Sequence, residues 1–218
     1  MGNTLQENQL AVSAFKEISK KYAAFFSMNP SVTSFCQTMI MGQNVGIYVK
    51  FMDNSSFMSN FSAVGTQKLK SSCALCGFTS PKLGNKYDRE MYINRQYANS
   101  STVVHEMLHF LTHPQFWMYV TPQITEAVTE YFTRKVLGSA SDKTSFDVAQ
   151  RAGRYDMHHT FLSMGRSDIK TRSTQGKINP GKGYMKRAYF QGDQQAISFI
   201  LTEFQTLEEM LGADSEDK

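Results

Sequence analysis

The chain has 218 residues, 41% of them hydrophobic, and its 23 basic and 19 acidic side chains leave a net charge of +4. This composition excludes a disordered polymer, and a positive charge so mild and so dispersed argues against a nucleic-acid partner. No apolar run reaches the roughly 18 residues that would suggest a membrane span, and the N-terminus MGNTLQENQL lacks the charged and apolar regions of a secretory signal.

Leu10, Ala14, Phe15, Ile18, Tyr22, Phe25 and Phe26 recur mostly at three and four spacing, which predicts an amphipathic helix within 8–26 that Asn29-Pro30 ends. A second short helix is expected over 32–41, stopped by Gly42, and VGIYVKFM then reads as a strand bounded by MDNSS. The stretch 55–86, full of Ser, Gly, Asn and Lys, reads as loop, and REMYIN offers a second short strand. Beyond Ser101 the chain reads as mostly helical, with helices over 102–113, 122–137, 146–163, 184–190 and 194–211 before a polar tail. No repeat or clean linker divides it. The expected organisation is one α+β domain over 1–218: a helical N-terminal segment over 1–44, a sheet with the central helices over 45–137, C-terminal helices over 138–212 and a tail over 213–218.

Three of the five histidines lie in TVVHEMLHFLTHPQF at four-residue intervals: His105, His109 and His113. On a helix, residues four apart project from one face a turn from each other, so His105 and His109 can reach one small cation. Glu106 beside them is placed to take a proton from a metal-activated water, the logic of H-E-x-x-H. His113 lies eight residues from His105, roughly 12 Å along a straight helix, too far to share the ion, and reads instead as a helix-end residue facing the exposed carbonyls before Pro114. TPQITEAVTEYFTRKV follows, with Thr121 as cap and Pro122 at the first helical position, and it sets Glu126 and Glu130 four apart. Glu126 is the expected third ligand and Glu130 the partner of a ligand histidine's other ring nitrogen; a solvated acidic face, with Arg134 paired to Glu130, is the alternative. Cys73 and Cys76 have the spacing of a zinc knuckle or redox pair, but only Cys36 remains and no second pair exists, so unmodified thiols are expected. So few cysteines suit a reducing compartment.

The two segments VVHEMLHFLTH and ITEAVTEYFTRKV together resemble the gluzincin group of zinc metallopeptidases, in which a histidine helix is followed by a helix bearing a glutamate ligand, a small residue next to it and an acidic residue one turn on. Glu126, Ala127 and Glu130 match those three positions. The segment GFTSPKLGNKYDREMYIN is similar to the strand region of small bacterial zincin domains, including secreted toxins and effectors. The resemblance spans about Gly77 to Val136. It implies a zincin-like α+β fold, Zn2+ held by His105, His109 and Glu126, Glu106 as general base, and a peptide or protein substrate. It also implies that EMYIN forms the sheet edge above the metal, and that a later Tyr or His stabilises the oxyanion; Tyr189 is the favoured residue among Tyr155, His158, His159, Tyr184 and Tyr189, with a core tyrosine as the alternative. A chain made as a soluble cytoplasmic protein, and compatible with export as an effector, is the corresponding expectation. The rival reading is a non-catalytic metal-binding or helical interaction protein with a fortuitous H-E-x-x-H.

Overall fold

A computed structural model of the chain describes residues 2–27, 29–64, 76–82, 85–138 and 183–202. They form a mixed α+β architecture, mostly helical, with one small three-stranded sheet. Helix α1, Leu5–Tyr22, starts at a capping box in which Thr4 and Glu7 satisfy each other's backbone N–H. Helix α2, Pro30–Met41, starts at the Asn29 cap with Pro30 in its first turn and stops at Gly42, whose φ of 66° is the left-handed conformation that glycine adopts without strain. Strand β1, Val49–Met52, is preceded by a 3-10 turn at Val45–Ile47, so the expected longer strand begins late.

The stretch read as loop over 55–86 holds two elements, a correction with a clear cause. Helix α3, Asn54–Val64, starts where the Asp53 carboxylate accepts the Ser56 N–H at 2.9 Å, and its only strong apolar signal is Phe57 and Phe61, one turn apart. Both rings pack on Phe78, with centroids 5.2 and 5.4 Å away, while the intervening Ser and Asn residues disguise the helix as loop. Phe78 belongs to the second element, strand β2, Gly77–Lys82.

Strand β3, Asn85–Asn94, runs parallel to β1 and antiparallel to β2, giving the order β1-β3-β2. The EMYIN segment is therefore central rather than the sheet edge that the resemblance implied. It can be central because both faces are covered: Met91 and Ile93 are fully buried on one side, while Tyr92 stacks on Phe78 on the other. The outer side of β1 is met by Asn3, whose amide donates to the Val49 carbonyl and whose oxygen accepts the Phe51 N–H. Among the described residues no strand pairs with the outer side of β2. The bond from Asn94 N–H to the Cys76 carbonyl fixes the alternation along β2. Gly77, Thr79 and Pro81 therefore turn their backbone groups away from β3.

Helix α4, Ser100–Leu111, is the hub, packed between the sheet and helices α1 and α6 and buried from Thr102 to Leu111. Its cap is Asn99, whose side chain accepts the Thr102 N–H while the Thr102 hydroxyl oxygen accepts the Asn99 N–H, so the helix starts earlier than the expected 102. The helix ends at Leu111, two residues before His113. Helix α5, Pro114–Tyr119, follows, and then α6, Pro122–Leu137, with the Thr121 cap and Pro122 start expected from the sequence. A short helix α7, Tyr184–Lys186, continues as a π-turn at Arg187–Gln191, and a last helix is described over 194–202. An aromatic cluster of Tyr22, Phe132, Tyr189 and Phe190 ties α1, α6 and the π-turn together. The expected helix over 146–163 and the tail lie outside the described residues, as do Cys73, Tyr155, His158 and His159. No described helix is long and apolar enough to cross a membrane.

Candidate metal centre

A helix buried on every side can carry histidines and a glutamate only if each polar atom has a use. The Nε2 atoms of His105 and His109 lie 3.1 Å apart on α4. From α6, Glu126 straddles the pair, with Oε2 3.2 Å from the His105 Nε2 and Oε1 3.1 Å from the His109 Nε2. These three side chains form a group that could hold a metal ion. The histidine side chains are 4% and 7% exposed whereas that of Glu126 is 35% exposed, so the triangle opens to solvent on the carboxylate side.

The outer ring nitrogens are engaged too. His105 Nδ1 lies 3.3 Å from Glu130 Oε2 and 3.4 Å from the Thr133 hydroxyl. Glu130 Oε1 meanwhile accepts the Arg134 Nε–H at 2.9 Å, so the ligand-partner and ion-pair alternatives for Glu130 coexist, one on each oxygen. His109 Nδ1 lies 3.3 Å from the Thr129 hydroxyl. Thr129 and Thr133 give their own protons to the carbonyls of Thr125 and Thr129, one turn back on α6. Their oxygens are therefore left as acceptors.

This network assigns a proton to each Nδ1 and leaves a lone pair on each Nε2. Two lone pairs and a carboxylate then converge with no hydrogen among them. Such a cluster repels itself unless a positive charge, a metal ion or a proton on one ring, lies within it. Burial would raise the Glu126 carboxyl, but with a ring protonated the charge of His109 and the hydrogen bonds from His105 and His109 outweigh it and hold that carboxyl well below the usual range. A tetrahedral zinc with bonds of about 2.0 Å spaces its ligands about 3.3 Å apart; the two histidine nitrogens lie close to that spacing, and each Glu126 oxygen lies close to it from one of them. The donor set fits such an ion.

Compared with known proteins, the chain matches no family model, no curated protein and no solved structure. The geometry of the site carries the argument.

Glu106, next to the first histidine, is buried and faces β2. Its Oε2 accepts the Thr79 hydroxyl at 3.0 Å, and the same hydroxyl lies 2.8 Å from the Glu106 carbonyl. Gly77 lies against it: a Cβ there would come within 2.8 Å of the Glu106 Cγ.

Tyr189 is brought close to the site but not to its open side. Its ring is fully buried, and its hydroxyl meets Thr129 at 2.6 Å, on the Nδ1 side of His109. Burial is the main cause that pushes this phenol far above its ordinary range. It thus stands behind the His109 ring, on the side away from Glu126. Tyr184, the other described tyrosine considered for the oxyanion, packs on Phe199 instead.

His113 stays outside the metal group, as expected, but its place differs from the expectation. Its Nδ1 accepts the Gln115 N–H and so caps the start of α5, rather than donating to the end of α4. Burial, and then the Arg89 charge, hold its pKa down, which suits an acceptor. The carbonyls at the end of α4 go to Arg89 of β3, whose Nη1 lies 2.9, 2.9 and 2.6 Å from the carbonyls of His109, Phe110 and Thr112. Burial pulls this guanidinium down to about 10, still charged at neutral pH. It also lies over Trp117, whose ring is edge-on to His109 with centroids 6.0 Å apart.

Sequence reasoning passed over Thr79, Arg89, Thr129 and Thr133. Some of them left a signal. Thr125, Thr129 and Thr133 recur at intervals of four beside the glutamates, and Arg89 shares the strand face of Met91 and Ile93, a core position for a charged residue. Cys76, half of the C-x-x-C pair, is buried with its thiol toward the Tyr97 carbonyl.

Proposed function

We propose that the chain is a zinc-dependent metallopeptidase of the gluzincin kind with a zincin-like fold, binding Zn2+ through His105, His109 and Glu126. The observation that carries this reading is the convergence of the two histidine Nε2 atoms and the Glu126 carboxylate at separations of 3.1 to 3.2 Å, open to solvent on one side, with a carboxylate on the adjoining residue. Zinc bound there would supply the Lewis acidity that makes water a nucleophile near neutral pH. Glu106 takes the proton of the attacking water and delivers it to the leaving amine nitrogen. Thr79 engages Oε2, and Oε1 is the proton-carrying atom. The outer side of β2 offers the main-chain groups of Gly77 and Thr79 to an extended peptide, which would dock beside Glu106 by adding a strand; Pro81, with no N–H, ends that register.

Purified protein is expected to hold about one equivalent of zinc, to lose it to a chelator, and to cut a peptide library. Glu106→Gln should retain the zinc while its turnover falls at least about a hundredfold. Bound zinc without cleavage by the wild type would make the protein a non-catalytic metal binder. Absence of zinc, with no effect of chelation, would overturn the metal site itself.

A further inference from the structure

The side of Glu106 that faces β2 is more elaborately built than a solvent-facing carboxylate requires. We propose that Thr79 is a positioning residue for the general base, and that it joins peptide docking to that base; the inference rests on the peptidase reading above.

Three observations converge on it. First, the Thr79 hydroxyl has one proton, and both Glu106 acceptors are within reach of it, the carbonyl at 2.8 Å and Oε2 at 3.0 Å. The carboxylate is thereby tied to the turn of α4 that carries it, and its χ angles lose freedom before any substrate arrives. Second, β2 comes so close at this point only because residue 77 is glycine. A Cβ there would meet the Glu106 Cγ at 2.8 Å, the Thr102 Cγ2 at 3.1 Å and the Tyr92 carbonyl oxygen at 3.3 Å. The carboxylate stem is therefore packed on one side and bonded at its end. Third, the main-chain N–H and C=O of Thr79 point to the outer side of β2, where the peptide would pair. One residue thus touches the substrate backbone with its own backbone and the base with its side chain. A peptide in register on β2 steadies Thr79, and Thr79 steadies Glu106.

Thr79→Val keeps the β-branched shape and the strand while removing the hydroxyl; Thr79→Ser restores the hydroxyl on a smaller side chain. With zinc-loaded protein, Thr79→Val is expected to lower kcat about tenfold to a hundredfold, with KM within about threefold of wild type. Thr79→Ser should recover most of that loss, and both variants should bind zinc as the wild type does. Unchanged kcat in Thr79→Val, or Thr79→Ser no better than Thr79→Val, overturns the proposal. A crystallographic arm is independent of turnover: in metal-free Thr79→Val the Glu106 carboxylate should leave its place against β2, whereas in metal-free wild type it should stay. A carboxylate unmoved in the variant overturns the proposal even if the wild type cuts nothing, a result that would instead sink the peptidase reading.

Discussion

Tyr189 keeps its hydroxyl behind His109, 2.6 Å from Thr129, and this position sets what its loss should do. Thr129 spends its own proton on the Thr125 carbonyl, so Tyr189 serves as donor to it, and removing the phenol oxygen leaves a threonine that His109 can still use. Tyr189→Phe is expected to cost about 1 kcal/mol of stability and to leave kcat within about threefold, where loss of an oxyanion donor would cost about a hundredfold or more. Thermal melts and initial rates on one peptide decide it; a hundredfold fall in kcat would return Tyr189 to the reaction. At this scale His105, Glu106, His109, Glu126 and Glu130 were legible because helical spacing alone puts each on a known face. What tyrosine or threonine lies behind a ring is a question of neighbours from another helix, and spacing along one helix is silent on it.

Arg89 belongs to the scale of elements, since it makes β3 the cap of α4. A helix end buried without partners leaves carbonyls unsatisfied, and one guanidinium nitrogen answers three of them here while the charge opposes the negative end of the helix dipole. Arg89→Met should lower stability by about 3 kcal/mol, read from urea denaturation, because the Phe110 and Thr112 carbonyls lose this donor, while His109 keeps the Thr112 N–H. A loss below about 1 kcal/mol would mean that water replaces the cap. The long helices α1, α4 and α6 were readable from their apolar periods, caps and breakers. Helix α3 and strand β2 were not, because Phe57, Phe61 and Phe78 gain their meaning from one another across about twenty residues of chain rather than from local pattern.

Across the whole molecule, the N-terminal helix is tied to the sheet by a forked pair: Arg95 Nε meets Glu7 Oε1 at 2.6 Å and Nη2 meets Oε2 at 3.1 Å. The Arg95 hydrogen bond holds the Glu7 carboxyl below its ordinary value of 4.5, outweighing the burial that would raise it, and the Thr4 N–H adds to the lowering. A depressed carboxyl stabilises the fold above its unfolded pKa, and that contribution disappears as pH falls through the lower folded value. Arg95→Gln is therefore expected to be about 1 kcal/mol less stable than wild type at pH 7, with the gap closing in acid as pH falls through the lowered Glu7 value. Urea titrations under both conditions test it, and a gap that persists in acid would assign the loss to packing. By itself the sequence determined the metal-ligand candidates, the glutamate beside them and the long helices that carry them, because periodicity, caps and side-chain chemistry act within a few residues. Only the tertiary structure decided that EMYIN is central, with β2 an edge among the described strands, that Thr79 and Gly77 meet Glu106, and that Arg89 rather than His113 closes α4. Those outcomes depend on which distant segments share a boundary, and burial and hydrogen-bond satisfaction choose among pairings that are equivalent along the chain.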